Sequence, residues 1–294
     1  MIQLEYFIIL IQVIRISIPY LLAAMGGMVS ERAGIVNIAL EGMMLNGALG
    51  CVLTIYYTGN PWLGVVGGIT AGFLTAIIHA VTTVKFCANQ IISGVAINLF
   101  SVGITKYLLK LIFGSTSNSA RVEGLPMLGG AQGISPVMIL ALLLVPITFI
   151  LLQYTKYGLR LKSVGEKPEA SESVGINVLM YRYWGVLISG MLAGLAGAYL
   201  ALEQHQFTDN MTGGRGYIAL AAMILGKWNP WGCLAASLLF GAAETLNIHL
   251  QSSGSGIPNQ FIQIIPYLLT VIVLVSAIGK SISPASTGKP YEKN

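Results

Sequence analysis

Apolar residues in this chain fall in long unbroken runs, and polar residues gather at the breaks between them. Runs near the length that crosses a bilayer core, about 20 residues, cover 6–29, 35–57, 62–84, 91–113 and 134–152, then 183–202, 231–250 and 261–278. A closed β-barrel also satisfies every backbone group in lipid, but it needs short strands of alternating polarity. The continuous runs therefore predict an all-α membrane protein. The predicted architecture is a polytopic helical bundle of about eight to ten transmembrane helices, with broken or re-entrant segments. The breaks carry turn formers: Thr58-Gly59-Asn60-Pro61 is a tight turn, 114–133 is a longer loop of Ser, Thr, Asn and Gly, and 251–258 is a Ser/Gly turn.

Two places resist a plain helix. Ser30-Glu31-Arg32-Ala33-Gly34 separates the first two runs, and Glu41 follows inside the second. Later, Gly213-Gly214-Arg215-Gly216 precedes a short apolar run, 217–226. Ten helical residues rise about 15 Å, half the hydrocarbon thickness, so a half-helix or re-entrant segment is predicted there. Broken backbone is tolerated at membrane depth only where it packs inside protein or lines a cavity. The first break also decides the side of the N-terminus. It lies outside if every long run crosses once, and inside if 28–34 is a mid-membrane break.

Composition agrees with the pattern. Hydrophobic residues make up 55% and charged residues 9%, against roughly 25% charged in a soluble domain. The predicted organisation is one membrane domain, 1–280, and a polar, disordered tail, 281–294. The net charge of +5 reads as positive-inside clustering, not as a nucleic-acid surface. Lys156, Arg160, Lys162, Lys167 and Arg182 flank one central segment, and Lys280, Lys289 and Lys293 lie in the tail. Both segments are therefore placed in the cytoplasm. Cys51, Cys87 and Cys233 have neither CxxC nor metal-ligand spacing, so no metal site is expected. Glu5 and Arg15 argue for an uncleaved first helix over a signal peptide.

No catalytic centre is visible. A Walker A loop needs GxxxxGK[ST]; before Gly279-Lys280-Ser281 the position of the first glycine is Leu274. His79, His205 and His249 form no cluster. The polar segment 157–183 holds Pro168, Glu169 and Ala170 where a short helix can start, and Gly175 where it can end. On the residues alone this is either a grip for a partner or a solvated loop.

Three motifs, in order, carry a resemblance. The central segment, with Gly165-Glu166-x-Pro168-x-Ala170 and Gly175-Ile176, resembles the coupling-helix loop of ABC importer permeases. The stretch Ser30-Glu31-Arg32-Ala33-Gly34-Ile35-Val36-Asn37-Ile38-Ala39-Leu40-Glu41-Gly42 resembles the signature of the branched-chain amino acid and simple-sugar permease superfamily, nucleoside-type branch. Gly214-Arg215-Gly216-Tyr217 and Gly226-Lys227-Trp228 look like the same branch. The resemblance implies a permease subunit of an ATP-driven importer in a bacterial cytoplasmic membrane, with a nucleoside as cargo. Two permease subunits would form the pore, often as a heterodimer. An ATP-binding subunit, carrying the ATP and Mg that this chain does not, would dock on Glu166, Pro168, Glu169, Ala170, Gly175 and Ile176. An extracytoplasmic lipoprotein would deliver the cargo. The alternatives are a pentose permease, or an ion-coupled secondary transporter that uses Glu41 or Glu244 as its proton or cation site.

Candidate translocation-path residues are the polar groups inside apolar runs: Asn37, Glu41, Gln90, Asn98 and Glu244. An intramembrane carboxylate is costly unless paired or hydrated, so Glu41 either lines a path or pairs with Arg32 or Lys106. If the backbone around it is helical, Asn37 shares its face and Asn46 points away. Arg215 is a further candidate partner for these carboxylates. Gly64, Gly68 and Gly72, with Gly190, Gly194 and Gly197, read as close helix packing. Trp228 and Trp231 read as interfacial anchors.

Overall fold

The computed structural model of the protein describes residues 2–128, 133–252 and 283–291. The elements are α1 (Ile2–Arg32), α2 (Leu40–Thr58), α3 (Pro61–Ala80) running into a π-helical turn (Val81–Lys85), α4 (Gln90–Phe113), α5 (Pro136–Tyr154), α6 (Lys156–Glu166), α7 (Pro168–Ser173), α8 (Val178–Gln204), α9 (Arg215–Leu225) and α10 (Pro230–Ser252). Among the described residues β structure is limited to two isolated bridges, Asn118–Thr208 and Leu128–Ile134.

Six helices among these residues are long and apolar enough to cross a membrane: Ile8–Arg32, Pro61–Lys85, Gln90–Phe113, Pro136–Tyr154, Val178–Gln204 and Pro230–Gln251. The 19-residue α2 is more polar, because it carries Glu41 and Asn46. The predicted run 261–278 lies outside the described residues. The half-helix expected at 217–226 is α9, 11 residues long.

The buried α8 is the packing centre, with α1, α2 and α3 around it. Glycines make this close approach possible. A methyl group on Gly72 would run into the Gly190 carbonyl, one on Gly194 into the Gly68 carbonyl, and one on Gly197 into the Met44 carbonyl. The predicted glycine stripes are thus helix contacts, α3 on α8 and α8 on α2.

α1 runs without interruption for 31 residues, about 46 Å at 1.5 Å per residue and longer than the hydrocarbon core. Its Arg32 carbonyl abuts Gly165 at the end of α6. Midway along it Arg15 meets the opposite end of the bundle, with Glu203 at the end of α8 at 3.3 Å and the Gly133 carbonyl at 2.8 Å. The first helix is therefore unbroken as far as Arg32, so of 28–34 only its last two residues, 33 and 34, leave the helix. The break falls just after it. Gly34, at φ +91°, ends α1 in the left-handed region, and Ile35 N–H returns to the Ser30 carbonyl at 3.1 Å. Residues 35–37 have no regular structure and 38–39 are a turn, so the predicted second run starts as a helix only at Leu40.

The face holding α6 and α7 also receives residues 283–291. In place of the disorder expected from its composition, this part of the tail is packed. Ser286 N–H and Oγ donate to the Gly165 carbonyl at 2.9 and 2.6 Å. The Tyr291 hydroxyl donates to Glu172. Arg182, fully buried, donates to the Lys289 carbonyl at 3.1 Å and lies 5.5 Å from the Tyr291 ring centroid.

Candidate functional site

The break at 35–39 leaves backbone groups without helical partners, and side chains from other helices meet them. Gln90 Oε1 accepts from Val36 N–H at 2.7 Å, and His79 Nε2 lies 3.1 Å from the Val36 carbonyl. A carbonyl only accepts, so Nε2 carries the proton, and Nδ1 accepts from Ser93 Oγ at 3.0 Å. Asn98 Nδ2 donates to the Ile38 carbonyl at 2.9 Å, and its Oδ1 accepts from Gly42 N–H at 2.8 Å. Asn37, fully buried, donates to Ser189 Oγ at 2.8 Å. Buried backbone polar groups require partners, and this set of side chains supplies them for an irregular segment inside the bundle.

The second break, 205–214, returns toward the first. It delivers the N-terminus of α9 to the first turn of α2, where Glu41 waits. Glu41 is 6% exposed. Its Oε1 accepts from Gly214 N–H at 2.8 Å and its Oε2 from Gly216 N–H at 2.6 Å. These donors belong to the helix start, whose partial positive charge favours a carboxylate. Gly216 has to be small, because a methyl group there would lie 2.5 Å from the Glu41 backbone nitrogen. Two broken helices thus meet N-terminus to N-terminus, with one carboxylate and one amide between them. Tyr217, in the first turn of α9, is 47% exposed, and its hydroxyl accepts from Asn98 Nδ2 at 3.0 Å.

The other end of α9 is also held. Trp228 Nε1 donates to Glu31 Oε2 at 2.6 Å, and Arg32 Nε and Nη2 donate to the Trp228 carbonyl at 3.2 and 2.9 Å. Beside α2, α3 and α4 lies a cavity of about 760 Å³, mostly apolar, with Asn46, Thr75 and Ser93 among its polar points.

At the end that holds α6 and α7, Thr155 Oγ1 caps α6 by accepting from Gly158 N–H at 3.2 Å. Gly158, Leu161, Val164 and Gly165 are its buried positions. Burial, together with the Arg32 guanidinium nearby, lowers the pKa of Lys162. α7 runs from Pro168 to Ser173, and the chain turns out of it at Gly175, at φ +82°, where Gly175 N–H returns to the Glu172 carbonyl and Ile176 N–H to the Ser171 carbonyl at 2.8 and 3.0 Å. Glu169, Ala170, Ser173 and Val174 stay exposed.

The family model described as "Branched-chain amino acid transport system / permease component" matches residues 9–274. The chain belongs to that permease family. The permease is 40% identical, over 94% of its length and 93% of the other's, to a guanosine ABC transporter permease protein of Bacillus subtilis. It is 37% identical, over 98% and 97%, to a nucleoside ABC transporter permease protein of Lactococcus lactis. It is 36% identical, over 88% of each chain, to a putative glucose ABC transporter permease protein of Haloferax volcanii. Among solved structures it resembles a putative metal-chelate type ABC transporter in an inward-facing conformation, with a TM-score of 0.53 at 15% identity, covering 91% and 85% of the two chains. That likeness concerns the fold. Together with the six long apolar helices, the family makes this a multi-pass membrane protein.

The structure gathers Asn37, Glu41, Gln90 and Asn98 of the permease around the two breaks, all of them buried. Glu244 is half-buried on α10 and takes no part in those hydrogen bonds. Neither cation proposed for Glu41 pairs with it. Lys106 binds Asp209 at 3.0 Å, and Arg32 turns to the Trp228 carbonyl. Arg215 donates to the Met211 and Thr212 carbonyls at 3.2 and 3.3 Å, not to a carboxylate. Asn37 precedes the helix, so it does not share a helical face with Glu41. Asn46 does point away, to Thr75 Oγ1 and Ser101 Oγ at 2.9 and 3.0 Å. Trp231 is 49% exposed, as an anchor would be, but Trp228 is 6% exposed and structural. The residue pattern did not reveal α6, His79, Glu31 or the N–H donors of Gly214 and Gly216. The glycine run before α9 was the available signal for the last of these.

Proposed function

We propose that the chain is the membrane subunit of an ATP-driven importer whose cargo is a nucleoside. The reading rests first on likeness over nearly the whole chain to permeases named for guanosine and for nucleosides. The geometry supports it: two helix breaks converge inside a membrane bundle, and a pair of short helices stands at one end. An ATP-binding subunit would engage Glu166, Pro168, Glu169, Ala170, Gly175 and Ile176, and would carry the ATP and Mg. A second permease, different from this one, would complete the pore. An extracytoplasmic lipoprotein would supply cargo at the face opposite α7, in a bacterial cytoplasmic membrane.

Within this reading, Asn37, Glu41, Gln90 and Asn98 act on the path by fixing its broken backbone, since Glu41 and Asn98 commit all their polar atoms, and Asn37 Nδ2 and Gln90 Oε1 theirs, to backbone and hydroxyl groups. A sugar cargo is the second reading, carried by the glucose-named relative. Uptake of labelled guanosine in cells with and without this gene, chased by unlabelled nucleosides, pentoses and glucose, tests the assignment. Uptake lost on deletion and competed by nucleosides alone supports it. Guanosine uptake that survives deletion, with sugar uptake lost instead, overturns the cargo.

A further inference from the structure

Both carboxylates of the 30–42 motif grip the same half-helix. Glu41 binds the start of α9 through Gly214 and Gly216. Glu31, ten positions earlier, binds the indole of Trp228, three residues past its end. Arg32 holds the carbonyl of the same tryptophan with two N–H donors. Lys227 and Trp228 sit at φ +54° and +52°. Bulky residues adopt the left-handed region only when their surroundings impose it, and a buried indole N–H needs an acceptor. Glu31 and Arg32 supply that constraint from α1.

The same turn of α1 touches the coupling face. The Arg32 carbonyl lies so close to Gly165 that a methyl group on Gly165 would collide with it. Gly165 is three residues before Pro168, in the last turn of α6. A displacement of α6 and α7 therefore meets Arg32 directly, and Glu31 and Arg32 are the side chains that hold Trp228. From Trp228 the push passes along α9, about 16 Å of rigid helix, to Glu41 and the start of α2.

We propose that Glu31 and Trp228 form the positioning contact that carries movement of α6 and α7 to α9. This rests on α6 and α7 being the ATPase-docking helices. The test uses the assembled transporter in proteoliposomes, measuring cargo uptake and ATP hydrolysis on the same samples. Trp228→Phe removes the N–H donor, Glu31→Ala removes the acceptor, and Glu31→Gln keeps an acceptor oxygen. The first two should lower uptake per ATP about tenfold while ATP hydrolysis and subunit co-purification persist, and Glu31→Gln should restore most of the ratio. A wild-type ratio in Glu31→Ala overturns the proposal. So does a parallel fall of uptake and hydrolysis, which marks an assembly role. If Trp228→Phe fails to assemble, the contrast between the two Glu31 variants decides. A wild-type complex without cargo-dependent ATP hydrolysis removes the docking reading itself, and the proposal with it.

Discussion

Glu41 commits both carboxylate oxygens to backbone donors of another helix. Hydrogen bonds to a charged group contribute about 1.5–3 kcal/mol each, and a buried N–H left alone costs a similar amount. Glu41→Ala should therefore destabilise the fold by about 2–5 kcal/mol and release the start of α9. Glu41→Gln keeps one acceptor and should fall between. Thermal melting of the detergent-purified complex checks the order; equal melting of wild type and Glu41→Ala would contradict it. Asn98 is placed to be nearly as sensitive, because it serves Gly42, Ile38 and Tyr217 at once. Asn98→Leu, similar in size but without polar atoms, should lower the same melting temperature, by a few degrees for each kcal/mol lost.

At the scale of elements, α7 and α9 are short helices defined at their ends. α7 has six residues and is followed, two positions past its last residue, by Gly175, where an added methyl group would meet no atom within 4 Å. Gly175→Ala is therefore a purely conformational change, costing about 1 kcal/mol at a positive φ. It should loosen the end of α7, reducing uptake while leaving membrane accumulation unchanged, as immunoblots of membranes would show. Gly72→Leu is the contrasting case. Its side chain has no space between α3 and α8, so accumulation itself should collapse.

For the whole molecule, the bundle has two ends with different contents. Arg15, Glu203 and Gly133 gather at one; α6, α7, Gly165, Trp228 and residues 283–291 at the other. Glu169 and Val174 stay exposed at the end that holds α7, which suits the surface proposed to dock an ATP-binding subunit. Glu169→Lys should reduce uptake about tenfold or more without changing the melting of this chain. Normal uptake in that variant would remove α7 from the docking surface.

The sequence alone determined what lipid and local geometry dictate. A continuous apolar run of span length has no stable alternative to a helix, so the long helices fall within a few residues of their predicted limits. A run of about ten residues after three glycines does not span, and small residues at four-residue spacing bring backbones together. Gly175 marked the end of α7 because a positive φ selects glycine. Only the tertiary structure decided which polar groups meet. Glu41 and Gly216 are 175 positions apart, and Glu31 and Trp228 are 197 apart. Composition suggested cations for Glu41, yet the donors are backbone N–H groups freed by a second break, and a break's unpaired groups are invisible in side-chain pattern. Trp228 looks like any tryptophan beside a turn until the fold turns its indole inward onto Glu31. Burial of that kind is a property of the packed molecule, because it depends on helices that local sequence does not place beside one another.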